Sequence, residues 1–303
     1  KASKVSENDA QKAAIDKLAE YYKTGDLKTF DEYSILWVKD TSSVVDVVNG
    51  FIEVYDDPMG KKGSYESVVS VKDFEASKRI STIGNAAQWF EDNSPLMEEH
   101  KKKSVTGISA KVINVVAESG DASPSTAIGI NLPNANWIRA EHGSKSVQLG
   151  NIVYAYQMSS KGAPLIQEFA YSSEELERSE KHDAYADVLH TDMHEVIGHA
   201  SGKINDGIGN PDETLKNYAS TLEEARADLV ALYYLMDEKL IHLGVMKTLE
   251  VGKAGYDDYI RNGMMIQLTR LKLGDQLEEA HMRNRQLVAK WVYEKGKNEN
   301  VVE

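Results

Sequence analysis

The stretch His194-Glu195-Val196-Ile197-Gly198-His199, followed by Glu223-Glu224-Ala225-Arg226-Ala227-Asp228 on the next helical segment, decides how this chain is read. Two imidazoles, a glutamate between them and a downstream acidic cluster are the parts of a hydrolytic zinc site. Neutral imidazole and carboxylate suit zinc, and three protein ligands leave a fourth position for water. Water bound there ionises near neutral pH. Glu195, next to the first imidazole, is placed to take its proton. The host segment also sets the fold class: from residue 172 onward the apolar spacing is helical almost throughout, apart from a loop at 202–211.

The spacing of the imidazoles is unusual. In the common His-Glu-x-x-His motif the ligands sit at i and i+4 on one helix face. His194 and His199 sit at i and i+5, about 140° apart on a regular helix. Both reach one metal only if the helix gains a one-residue π-bulge, a distortion that concentrates at functional sites. Gly198, inside the motif, lowers the cost of an irregular backbone. His190 and His194, at i and i+4, are the easier pair for an undistorted helix. Geometry alone leaves these two pairings level. A third reading has the histidines bonded to neighbours and holding nothing, and three histidines with two acids between residues 190 and 199 weigh against it.

Composition narrows the function classes. The 303 residues suggest about two domains' worth of sequence. Acidic residues outnumber basic ones 48 to 35, a net charge of −13. That argues against nucleic-acid binding, which needs a basic face, and mildly favours cationic peptides. The absence of cysteine excludes disulfides and thiolate ligands and fits a reducing compartment. No apolar run approaches the roughly 20 residues that span a bilayer, and no signal peptide is visible. A chain beginning at Lys1 is expected to be an excised piece of something longer.

Along the chain, residues 8–24 read as an amphipathic helix, with Ala14, Leu18, Tyr21 and Tyr22 at helical spacing. Residues 35–38 and 44–55 are β-branched and apolar, hence strand-like, with a turn at 56–60. Residues 64–71 are another strand, and a helical stretch runs over 72–99. The run Lys101-Lys102-Lys103 reads as a solvated cluster. Further strands are expected at 111–118, 127–132 and 148–157. The expected class is α+β, without internal repeats.

His-Glu-x-x-Gly-His with a downstream Glu-Glu-x-Arg-Ala-Asp resembles the dipeptidyl peptidase III family, the M49 zinc exopeptidases. Residues 194–203, HEVIGHASGK, are close to the family's His-Glu-x-x-Gly-His-x-Ser-Gly-Lys. The resemblance implies one Zn2+ per chain, held by His194, His199 and Glu224, with Glu195 as general base. It also makes Glu223 and Asp228 the acids that orient the ligand histidines, a role with a clear physical basis. Many members carry Cys where this chain has Ala225, a position that is neither ligand nor base.

Three further segments carry the resemblance outward. Gly50-Phe51-Ile52-Glu53-Val54-Tyr55-Asp56-Asp57-Pro58 is similar to a family segment whose Glu binds the substrate's free amine and whose Tyr supports the reacting carbonyl, here Glu53 and Tyr55. Strand alternation points residues 53 and 55 to one side; the plain alternative for Glu53 is a solvent-facing strand residue. Gly129-Ile130-Asn131-Leu132-Pro133-Asn134 resembles the family's Asn-x-Pro-Asn, so Asn131 and Asn134 would hold the peptide N-terminus and backbone. The plain alternative is a turn. Ala280-His281-Met282-Arg283-Asn284-Arg285 lies on a helical stretch over 275–294, with residues 277, 281, 284, 285, 288 and 292 on one face. By resemblance His281 assists the transition state and Arg285 contacts the peptide. A hydrogen-bonded histidine and a structural ion pair are the plain alternative, because unpaired buried charge is expensive.

Family members are much longer and have two lobes. The resemblance implies that residues 1–80 and 119–164 are part of a β-containing lobe, and 81–118 with 165–303 the helical zinc-binding lobe. A large N-terminal part and a C-terminal segment would be missing partners. The implied activity is release of dipeptides from the free N-terminus of oligopeptides, in the cytoplasm where most members reside. Two rivals stand beside it: a zinc endopeptidase or other metallohydrolase without an amine clamp, and a non-catalytic peptide-binding module tied by zinc.

Overall fold

Asn8 and Asp26 open the first two helices. The Asn8 side chain accepts from the Gln11 N–H and starts α1 (Asp9–Thr24), which ends at Gly25 in the left-handed region at φ 69°. Asp26 accepts from the Lys28 and Thr29 N–H groups and starts α2 (Leu27–Lys39). Ala14, Leu18 and Tyr21 from α1 and Tyr33, Trp37 and Val38 from α2 pack with Val48, Val68 and Ala122 in one apolar cluster. Residues 35–38, expected as a strand, are the last turns of α2. Their β-branched content is outweighed by the Asp26 cap and by the i, i+4 stripe of Tyr33 and Trp37 that buries against α1.

The computed structural model describes residues 1–53, 63–105, 108–123, 126–160, 165–261, 271–274, 277 and 280–298. The chain divides into two compact units: Lys1–Gly84 with Val105–Ser159, and Asn85–Ser104 with Ser160–Glu303.

The first unit is built on a five-stranded mixed sheet. Its strands are β1 (Val45–Glu53), β2 (Ser64–Lys72), β3 (Ile108–Gly120), β4 (Gly129–Leu132) and β5 (Ser144–Leu149), in the order β1-β2-β3-β5-β4. Among the described strands the β3–β5 pair is parallel and the other pairs are antiparallel. Because β3 is the middle strand, residues 105–118 belong to this unit, not to the helical part where the sequence put them. The span 148–157, expected as a strand, divides at Leu149, and a helix starts at Gly150. An apolar run of that length reads equally well as a buried strand or a helix. In β5, Lys145 is only 1 % exposed. Its Nζ pairs with Asp46 Oδ2 at 3.0 Å and lies 4.2 Å from the Trp37 ring centroid, partners that a buried cation requires.

The described helices continue as α3 (Phe74–Asn85), α4 (Ala87–Asp92), α5 (Asn136–His142), α6 (Gly150–Ser160) and α7 (Leu165–Phe169). The second unit's helical frame is α8 (Ser173–Met193), α9 (Pro211–Thr214), α10 (Ala219–Leu235), α11 (Lys239–His242), α12 (Glu250–Arg261) and α13 (Ala280–Gly296). Ser172 caps α8 by accepting from the Glu175 N–H. Helix α10 is the centre: α8, α12 and α13 all pack against it. Its Ala225, Ala227 and Ala231 are buried, small residues that let neighbours come close. Tyr234, fully buried on the same helix, donates to the Phe90 carbonyl of α4 across 2.5 Å. The class is α+β, as expected. Among the described residues no helix is long and apolar enough to cross a membrane.

Candidate metal centre

Helix α8 does not end at Met193. It runs directly into a π turn at His194–Gly198, closed by the His199 N–H donating to the His194 carbonyl at 3.0 Å. This i to i+5 bond is the extra residue that the motif spacing demands. It brings the His194 and His199 ring centroids to 4.7 Å with the planes 89° apart. Gly198 matters for a reason the sequence did not suggest. A Cβ there would sit 2.7 Å from the Ala227 carbonyl oxygen and 2.9 Å from its Cα, so glycine is set by the close approach of α10.

Each histidine is fixed from behind by its own carboxylate. His194 Nδ1 is 2.8 Å from Asp228 Oδ1, and His199 Nδ1 is 2.8 Å from Glu223 Oε1. With Nδ1 engaged, Nε2 is left for a metal, the arrangement that orients imidazole ligands. Donor atoms of His194, His199 and Glu224 all lie within 4.8 Å of one another. Among the described residues Glu224 Oε2 is buried without a hydrogen-bond partner, although His194 Nε2 and His281 Nε2 lie 3.2 and 3.3 Å away. A buried carboxylate oxygen left unbonded is costly, and here it points into a cluster of nitrogen donors. Two imidazoles and one carboxylate around such a point fit a divalent cation such as zinc.

The electrostatics agree. Burial opposes charge on Glu224 and on Asp228, yet the facing histidines hold both carboxyls well below the usual range. Burial likewise opposes charge on His194, but Asp228 and Glu224 outweigh it and push its pKa up to about 10. The surrounding carboxylates thus favour positive charge at His194. His190 behaves differently. Burial takes its pKa down to about 4, and its Nε2 is 3.7 Å from Asp228 Oδ1, behind His194. It is not one of the three clustered donors.

Glu195 is half-buried in the π turn, close enough for its charge to act on His194. His281, on the first turn of α13 and half-exposed, joins the cluster through Glu224. Arg285 turns its Nε toward Asp228 Oδ2 at 3.4 Å and stacks its guanidinium 4.1 Å from the Tyr259 ring centroid. In the first unit, Asn131 Nδ2 donates to Ser146 Oγ at 2.8 Å and its Oδ1 accepts from Arg139 at 3.1 Å. Asn134 Nδ2 donates to the Ile52 carbonyl at 2.9 Å, next to Glu53 at the end of β1. Tyr55 lies outside the described residues.

Five supporting residues carry roles that the sequence did not assign. Arg226 donates to the Gly198 carbonyl at 2.7 Å, to the Ser201 carbonyl and to Glu223. It thereby satisfies carbonyls freed where the helix ends and fixes the carboxylate on His199. Glu91 of α4 accepts from the Gly202 N–H at 3.0 Å and the Lys102 N–H at 2.6 Å, anchoring the loop after His199. Lys102 also reaches the Ala200 carbonyl, so the lysine run is part of this anchor and not merely solvated. Tyr259 and Asn284 bond to Asp228. Arg226 and Asn284 stood inside quoted motifs; Glu91 and Tyr259 carried no signal in the sequence.

A curated "Dipeptidyl peptidase 3" of Nematostella vectensis is 25% identical over 324 residues, covering 95% of this chain and 43% of the relative. Another, of Dictyostelium discoideum, is 27% identical over 267 residues, covering 78% and 37%. The chain therefore spans less than half the length of these relatives. Among solved structures, DPP III from Caldithrix abyssi superposes with a TM-score of 0.78 at 24% identity, covering 97% of this chain and 54% of that one, a likeness of fold. The model of peptidase family M49 matches residues 1–210, more than half of the chain, with the π-turn histidines inside the match: the chain belongs to peptidase family M49.

Proposed function

We propose that this chain hydrolyses peptides with a single zinc ion, releasing dipeptides from a free N-terminus in the cytoplasm. The observation that carries the reading is the cluster of His194, His199 and Glu224 donors within 4.8 Å, each histidine backed by a carboxylate. These three residues would hold the metal. Zinc held there supplies Lewis-acid polarisation of the scissile carbonyl and a lowered pKa for the attacking water. Glu195 takes the proton from that water and passes it to the leaving amine. His281 and Tyr55 stabilise the oxygen on which negative charge develops. Glu53, Asn131 and Asn134 accept hydrogen bonds from the substrate's ammonium and position its backbone, and Arg285 contacts the peptide further on. These roles follow the family resemblance of the segments that carry them. Membership of a peptidase family supports oligopeptides as the substrate class.

The test is bound zinc per chain, by elemental analysis, on the wild type beside His190→Ala and His199→Ala. About one zinc, kept without His190 and lost without His199, is expected for a three-ligand catalytic site. Zinc that depends on His190 and ignores His199 would overturn the ligand set and the mechanism with it.

A further inference from the structure

Asp228 does more than accept from His194. Its Oδ1 faces His194 Nδ1 at 2.8 Å, while its Oδ2 accepts from the Tyr259 hydroxyl of α12 at 2.9 Å and from the Asn284 amide of α13 at 2.7 Å. Three elements thus converge on one carboxylate. All three side chains are buried: Asp228 is 3% exposed, Tyr259 8% and Asn284 0%. Arg285 Nε forms an ion pair with the same oxygen at 3.4 Å, and its guanidinium stacks on Tyr259. His199 is held differently. Its carboxylate, Glu223, has a side chain 42% exposed and is steadied by Arg226, three residues along the same helix.

We propose that Tyr259 and Asn284 are positioning residues for the metal: acting through Asp228, they lock the His194 ring and set how tightly the site holds its ion. The inference rests on the proposed zinc site. A carboxylate with two further donors on its distal oxygen cannot rotate, so its near oxygen stays on the His194 Nδ1–H and the ring keeps its aim. Removing either donor frees the carboxylate, and partners that orient a ligand histidine are worth about 10–100-fold in metal affinity. Asp228 sits on α10, Tyr259 on α12 and Asn284 on α13. The clamp therefore makes the packing of both later helices a condition for tight metal binding.

The structure also provides a matched control. Tyr256, one turn earlier on α12, donates its hydroxyl to the Leu232 carbonyl of α10 at 2.7 Å and makes no bond to Asp228. Tyr256→Phe deletes the same chemical group between the same two helices without touching the clamp. The experiment measures zinc affinity of the 303-residue chain by competition with a chromogenic chelator, for wild type, Tyr259→Phe, Asn284→Leu and Tyr256→Phe. The visible spectrum of the cobalt-substituted forms is recorded alongside. Tyr259→Phe and Asn284→Leu are expected to weaken zinc about tenfold or more and to alter the cobalt spectrum, while Tyr256→Phe leaves both unchanged. In an Asp228→Asn background, Tyr259→Phe should have little additional effect, because the two changes break one network. Tyr259→Phe and Asn284→Leu with wild-type affinity, or Tyr256→Phe weakening zinc as much as they do, overturns the clamp while leaving the zinc site standing. A wild type that binds no zinc overturns both.

Discussion

At the scale of single residues, the five-residue spacing was the most legible feature of the chain. It demanded a π turn, and the structure has one from His194 to Gly198. The reason for Gly198 was not legible, because it depends on Ala227, which only the packing of α10 brings within 3 Å of the missing Cβ. Gly198→Ala must push backbone atoms apart, and overpacking of this kind costs about 1–3 kcal/mol. We expect a lowered thermal midpoint together with weakened zinc binding, read by calorimetry and chelator competition. An unchanged midpoint would show that α10 yields freely. Glu195 carries the second prediction at this scale. Glu195→Gln keeps size and polarity but cannot accept a proton, so turnover should fall about 10²–10⁴-fold with zinc content intact. Near-normal turnover of a dipeptidyl substrate would remove Glu195 from the role of base.

Among the elements, what could be read followed local chemistry, and what could not depended on distant partners. The helical spacing of Ala14, Leu18 and Tyr21 announces α1. The stretch 35–38 looked like a strand because its β-branched residues were weighed without α1, the helix that buries Tyr33 and Trp37. Tyr259 and Asn284 stand 31 and 56 residues from Asp228, so no window of sequence connects them. The interface of α8 with α12 offers a test of its own. Burial, together with the nearby Asp187 and Asp183, raises the Asp258 pKa from 3.8 to about 6, and Arg261, 3.9 Å away, only partly offsets this. A carboxyl whose folded pKa is raised binds more protons in the folded state than in the unfolded one. Stability is therefore lost as pH climbs from the unfolded value through the folded one. Asp258→Asn removes that burden. It should raise the thermal midpoint at about pH 8 and change little at about pH 3, below both pKa values, where both states are largely protonated. The gain is modest, since 34% of the side chain is exposed and water screens the repulsion. An equal gain at both pH values would assign the effect to packing instead of charge.

At the scale of the whole molecule, the sequence reached the α+β class, and it carried the expectation of a sheet-bearing part and a helical part. The boundary within 105–118 was misplaced because a strand's neighbours cannot be read from its own residues. Only pairing with β2 and parallel β5 makes β3 the centre of the sheet. Two units with separate cores should respond separately to loss of the metal. All three proposed ligands, His194, His199 and Glu224, fall in the second unit. An ion that binds the folded state alone stabilises by RT ln(1 + [L]/Kd), about 4 kcal/mol when the free ion is a thousandfold above Kd. Chelation withdraws that stabilisation from the unit that holds the ion. Hydrogen exchange followed by mass spectrometry should therefore show faster exchange in peptides from α8 and α10 after chelation. Peptides covering β1, β2 and β3 should keep their protection. Equal loss in the sheet would mean that the two units open as one cooperative body. No change in α8 or α10 would mean that the ion contributes nothing to the stability of the helices that carry its ligands.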